Sequence, residues 1–208
     1  MEHLGADFSA ESTSKSVQSF LTRPIFILVV GSVVAMWLIE IIDTIALDDW
    51  AQGGGIHPRR LDGIDGIAWA PFLHGGWRHL TSNTVPFIIL GGLVALRGVR
   101  TWLSVTGIII IVGGALTWLF ARNGNHVGAS GVIFGFLGYL VAAAWFDRTL
   151  KAIALAVLAV VLYGSMVFGL VPSGQVSWEG HLFGAAAGVL AAYALRPETT
   201  TNTEPQLA

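Results

Sequence analysis

Three short stretches hold residues able to carry nucleophilic chemistry: "HLTSN" at 79–83, "GASG" at 128–131 and "EGHLFG" at 179–184. A serine hydroxyl beside a histidine is the minimum for such chemistry, because the imidazole takes the proton as the oxygen attacks. Ser130 supplies the hydroxyl and His181 is the candidate base. His79 and Asn83 stand at i and i+4 and so share one helix face. Both can therefore donate to one developing oxyanion. Ser130 also falls at the expected start of a helix, where free backbone N–H groups and the positive dipole end favour an anion. Gly128 and Gly131 on either side of it leave room for a substrate backbone. No acidic residue is placed to orient His181, and Glu179, two positions before it, is expected to face water. The pattern therefore reads as a dyad.

Each piece also has a plainer reading. A lone serine in an apolar helix usually packs or bonds back to the i−4 carbonyl. Gly184 and Gly188 form a GxxxG pair whose first role is close helix packing, which would also bring His181 to Ser130. Asn83 can serve as an interhelical hydrogen bonder or a cap. His74 and His126 read as interfacial histidines. His74 and His79 are five apart, which is not the i, i+4 pair of a zinc-binding HExxH. With no cysteine in the chain, disulfides and thiolate metal sites are excluded, and no metal or other cofactor is expected. The G-x-S-x-G elbow is absent too, since position 132 is Val. Only the common depth of the four polar residues lifts them above these readings.

That depth depends on the elements carrying them. The chain has 208 residues, 54% hydrophobic and 12% charged, with a mean hydropathy of +0.70. This is the composition of an all-α polytopic membrane protein rather than a soluble domain. A spanning helix needs about 20 mostly apolar residues. Six segments are read as spans: Ile25–Ile42, His79–Leu96, Thr101–Ala121, Ser130–Phe146, Ala152–Val171 and His181–Leu195. The expected organisation is a polar N-terminal segment over 1–24, a compact six-helix membrane domain over 25–195, and a disordered polar tail over 196–208. The first apolar run reads as a span and not as a removed signal. A long loop, Asp43–Arg78, carries Trp69, Phe72 and Trp77 and is expected to lie on or dip into one leaflet. The net charge of −2 gives no case for nucleic acid.

Orientation follows from the cations. With the N-terminus cytoplasmic, Lys15, Arg23, Arg97, Arg100, Arg148, Lys151 and Arg196 lie inside and Arg59, Arg60, Arg78 and Arg122 outside, seven against four. Helices two, four and six then all enter from the outer side, with His79, Asn83, Ser130 and His181 near their first turns.

In this order and spacing, "HLTSN", "GASG" and "GHLFGAAAG", with "LGG" at 90–92, resemble the motifs of the rhomboid intramembrane serine proteases. The resemblance covers Trp69 to Leu195. It implies six helices around a water-filled cavity open to the outside, in the plasma membrane. Ser130 would be the nucleophile and His181 the base, with His79, Asn83 and the Ser130 N–H as the oxyanion hole. Substrates would be membrane proteins cut in or beside a transmembrane segment, after a small residue and near helix-weak sequence. The stretch "VPSGQVSW" would cap the site and helix five would act as a lateral gate. Two positions depart from the family pattern. Phe134 stands where many members have a tyrosine stacked on the histidine, and Asp65-Gly66 stands where many have a Trp-Arg pair. The "WR" at 77–78 lies elsewhere. The competing reading is a catalytically silent relative that binds membrane helices. A transporter would need interrupted, repeated helices, which the sequence lacks.

Overall fold

A computed structural model describes residues 24–46, 53–172, 174 and 176–197. The segments expected at 1–24 and 196–208 lie outside the described residues, apart from Pro24, Arg196 and Pro197. So does part of the long loop, at 47–52, and part of the "VPSGQVSW" stretch. Among the described residues, six long helical segments follow one another: α1 (Pro24–Ala46), α2 (Trp77–Ala95), α3 (Val99–Phe120), α4 (Ser130–Asp147), α5 (Leu150–Leu170) and α6 (Trp178–Ala194). There is no strand among them, only one isolated bridge between Ile56 and His126.

Four of the six, α1, α3, α4 and α5, are long and apolar enough to cross a membrane. The sequence reading counts six spans, and the two that fall short are the ones bearing His79, Asn83 and His181. They can be more polar because they turn these side chains towards protein rather than lipid. Asn83 and His181 are both buried. The apolar faces turned outward, such as Ile45, Ile111, Val161 and Phe168, are the surface a lipid solvent would cover.

At the centre stands α4, buried on most of its circumference by Val132, Ile133, Phe134, Phe136, Tyr139, Leu140 and Ala143. A helix apolar all round belongs in such a position. Its partnership with α6 is backbone against backbone. A Cβ built on Gly184 would lie 2.1 Å from the Gly131 carbonyl oxygen, and one on Gly188 1.9 Å from that of Gly135. The GxxxG reading of α6 is therefore correct, and its complement on α4 is Gly131, Gly135 and Gly138. Within α3, a π-helical turn at Ile109–Gly113 brings Gly113 against Gly184 and Phe183.

The long loop is folded into short helical turns at Leu61–Gly63, Gly66–Trp69 and Ala70–Phe72. Trp69 and Trp77 are half exposed, as expected of interfacial aromatics, whereas Phe72 packs against the core. Where a Trp-Arg pair is missing, Arg59 ties the loop down. Its guanidinium donates to the Ala121 carbonyl at 2.7 Å, the Leu119 carbonyl at 3.2 Å and Asn123 Oδ1 at 2.6 Å. Trp118 Nε1 returns a hydrogen bond to the Arg60 carbonyl at 2.8 Å. A cation at the C-terminal carbonyls of α3 also suits the helix dipole. At the opposite end, Arg97 pairs with Asp147, and Lys151 donates to the Leu96 carbonyl at 2.8 Å.

Candidate active site

Ser130 is the first residue of α4, and His181 lies in the first turn of α6. Close packing of these helices brings His181 Nε2 to 2.9 Å from Ser130 Oγ. The other ring nitrogen, Nδ1, lies 2.9 Å from the Gly169 carbonyl oxygen. Phe134, one turn below Ser130, stacks on the His181 ring with centroids 4.2 Å apart and planes 8° from parallel. The ring is thus held on one face by an aromatic and at both nitrogens by hydrogen-bond partners.

His79 and Asn83 approach from α2. The helix begins after Gly76, whose φ of 101° is open to glycine at little cost. This turn lets the Gly75 N–H donate to His79 Nδ1 at 3.2 Å. Nδ1 is then the acceptor, so in the neutral ring the proton sits on Nε2. That edge faces Gly128: a Cβ there would lie 2.6 Å from His79 Nε2 and 3.6 Å from Asn83 Nδ2. Gly128 has φ 110° as well, so both space and backbone conformation require glycine at this position. Gly131 is closed in by the Gly180 carbonyl, 3.3 Å from where its Cβ would be. Asn83 spends one amide N–H on the His79 carbonyl at 3.1 Å and keeps a second. All four polar residues therefore gather at the end of the bundle where α2, α4 and α6 begin.

A cavity of about 60 Å³ opens beside Ser130, lined also by Gly131, Gly113, Thr117, His126 and Gly180 among others, while His79, Asn83 and His181 lie outside its lining. By volume it has room for more than one water; its lining is mostly apolar, with Ser130, Thr117 and Ser177 supplying hydroxyls.

Three side chains sit elsewhere than the sequence reading expects. His74 is not interfacial but 1% exposed, and its Nε2 accepts the Ala129 N–H at 3.4 Å. Its ring meets that of His79 edge to face at 5.1 Å, and burial, with His79 nearby, pushes its pKa down to about 4. It thus stays neutral and braces both the serine loop and His79. His126 is also buried: Nε2 donates to the Arg122 carbonyl at 3.0 Å, so Nδ1 accepts the Ser177 hydroxyl at 2.6 Å. Glu179 is 5% exposed rather than facing water, and pairs with the Arg122 guanidinium at 3.5 Å. These contacts staple the 121–129 loop to the start of α6. The five-residue spacing of His74 and His79 is the available signal, but the sequence reading weighs it only as a metal pair. Among the described residues, no three His, Asp or Glu side chains gather as a metal site.

A helical membrane bundle with a hydrogen-bonded serine and histidine where its inner helices begin is the class that fold and site define. Residues 65–198 match the Rhomboid domain, and the chain belongs to this family. It is 40% identical over 173 residues to an uncharacterized protein of Mycobacterium tuberculosis, covering 78% of this chain and 72% of the relative. An uncharacterized protein of Mycobacterium leprae is 38% identical over 178 residues, 80% of this chain and 70% of the relative. The RHOMBOID-like protein 4 of Arabidopsis thaliana is 28% identical over 132 residues, 60% of this chain and 32% of the relative.

Proposed function

We propose that the protein is an intramembrane serine endopeptidase that cleaves transmembrane segments of other membrane proteins. The observation that carries the reading is the 2.9 Å contact of Ser130 Oγ with His181 Nε2, beneath a stacked Phe134. As Ser130 Oγ attacks a peptide carbonyl carbon, its proton passes to His181 Nε2. The oxyanion that forms accepts hydrogen bonds from His79 Nε2–H, the second N–H of Asn83 and the Ser130 backbone N–H. When the intermediate collapses, His181 returns the proton to the leaving amine and the acyl group stays on Ser130. A water deprotonated by His181 then releases it as a carboxylate.

The substrate class follows from the location of the site. A helix in lipid satisfies its own backbone hydrogen bonds, so its peptide bonds are closed to attack until it unwinds. A site near the end of the bundle, beside a cavity able to hold water, favours segments that unwind easily. The cation count supports a cytoplasmic N-terminus and a site on the outer side, and the reading takes the membrane to be the plasma membrane. The chain's partners are thus the bilayer and membrane-protein substrates.

The direct test is labelling of the purified full-length chain with a fluorophosphonate, followed by mass spectrometry. The reading requires a stable adduct on Ser130 that disappears in His181→Ala. A chain that binds membrane helices but forms no adduct at Ser130 is the catalytically silent relative instead.

A further inference from the structure

We infer that Gly169 is a positioning residue for the dyad, its backbone carbonyl orienting the base in the place a carboxylate takes in a triad. The inference rests on the reading of His181 as base. A carbonyl oxygen only accepts, so the 2.9 Å contact between Gly169 O and His181 Nδ1 requires a proton on Nδ1. In the neutral ring, Nε2 then keeps its lone pair for the Ser130 hydroxyl, as proton abstraction demands. The opposite tautomer would set two lone pairs against each other at that distance. The nearest carboxylate in sequence, Glu179, is turned to Arg122 instead.

The carbonyl is available because of how α5 ends. Its last turns, Gly164–Leu170, tighten into a 3₁₀ helix, and carbonyls at a helix C-terminus have no partner further along the helix. The turn packs against the edge of the stacked rings. A Cβ at Gly169 would come to 2.8 Å from Phe134 Cζ and 3.3 Å from His181 Nδ1. Only glycine lets the backbone come this close. Among the described residues the outer side of the same turn is open, with Phe168 75% exposed. The base is correctly set only while this turn is seated on Phe134.

The test uses the full-length chain in lipid nanodiscs with ¹⁵N-labelled histidine, the His181 signal being assigned by its loss in His181→Gln. Above neutral pH, wild type should show Nδ1 protonated and Nε2 bare. In Gly169→Ala that preference should weaken, and turnover of a reporter substrate should fall roughly 10²-fold in kcat with little change in KM. A wrongly held tautomer costs about 10⁴ in a serine protease triad, so a weakened carbonyl should cost less. Gly164→Ala, in the same turn but meeting only the Val160 side chain at 3.3 Å, should stay within about twofold of wild type. A wild-type His181 protonated on Nε2 overturns the inference, as does a Gly169→Ala that keeps both tautomer and rate. If Gly169→Ala does not fold, the wild-type tautomer alone decides. The spectrum reads this contact whether or not the chain proves to cleave, so the two proposals fail separately.

Discussion

At the scale of single residues, the proposed mechanism calls on two side-chain donors for one oxygen and on a buried histidine to support them. In that mechanism the second amide N–H of Asn83 serves the oxyanion, and removing such a donor costs on the order of 10²–10³ in rate. Asn83→Ala should accordingly lower kcat on a reporter substrate by that factor and leave KM nearly unchanged, as steady-state kinetics in liposomes would register. An equal rise in KM would make Asn83 a binding residue. His74 makes a pH prediction. Its pKa lies near 4 in the fold against 6.5 for the free side chain, so both states are neutral above about pH 6.5 and its contribution to stability is then complete. As the pH falls from 6.5 towards 4, the unfolded chain takes up a proton that the folded chain refuses, and stability is lost. At pH 5 the loss from this group is about 2 kcal/mol. Thermal unfolding at pH 7.5 and 5 should therefore show a larger decline for wild type than for His74→Gln, and equal declines would remove His74 as the cause.

At the scale of elements, glycine placement decides what the helices can do. On α6, Gly188 touches the backbone of α4, whereas a Cβ added at Gly31 on α1 would meet nothing within 4 Å. Gly188→Ala should destabilise the protein by roughly 1–3 kcal/mol or more through overpacking. Gly31→Ala should be neutral or up to about 1 kcal/mol more stable, because alanine is the better helix former. Melting of both variants in one detergent compares them directly. Similar melting temperatures would contradict the packing account. The elements also show what is readable beforehand. Ser130, His181, His79 and Asn83 can be picked out because each is a polar residue at the start of an apolar segment, and helix periodicity fixes where such residues point. His126 and Glu179 escape a reading of the sequence because their burial comes from a loop folding onto α6, which no local pattern reports. The role of Arg59 escapes it for the same reason, since its partners are carbonyls about sixty residues away. The Gly169 contact is out of reach in principle, as a backbone carbonyl carries no residue signature.

At the scale of the whole molecule, the account depends on which way the bundle sits and on whether the dyad cuts peptides. The chain has no cysteine, so single cysteines can report topology without background. A membrane-impermeant maleimide added to intact cells should label Asn123→Cys, in the loop that leads into α4 at the site's end of the bundle, and spare Lys151→Cys at the opposite end. The reverse pattern would turn the protein over and put the site in the cytoplasm. The central claim is tested most directly by cleavage of a reporter transmembrane substrate in liposomes by wild type, Ser130→Ala and His181→Ala. Removing a member of a serine protease's catalytic unit costs on the order of 10⁴–10⁶ in rate. The account predicts that wild type cuts at a defined bond within or beside the segment and that both variants are inert in that assay. A wild type that cuts none of several helix-weak substrates would contradict it, and so would a Ser130→Ala protein that cuts as well as wild type.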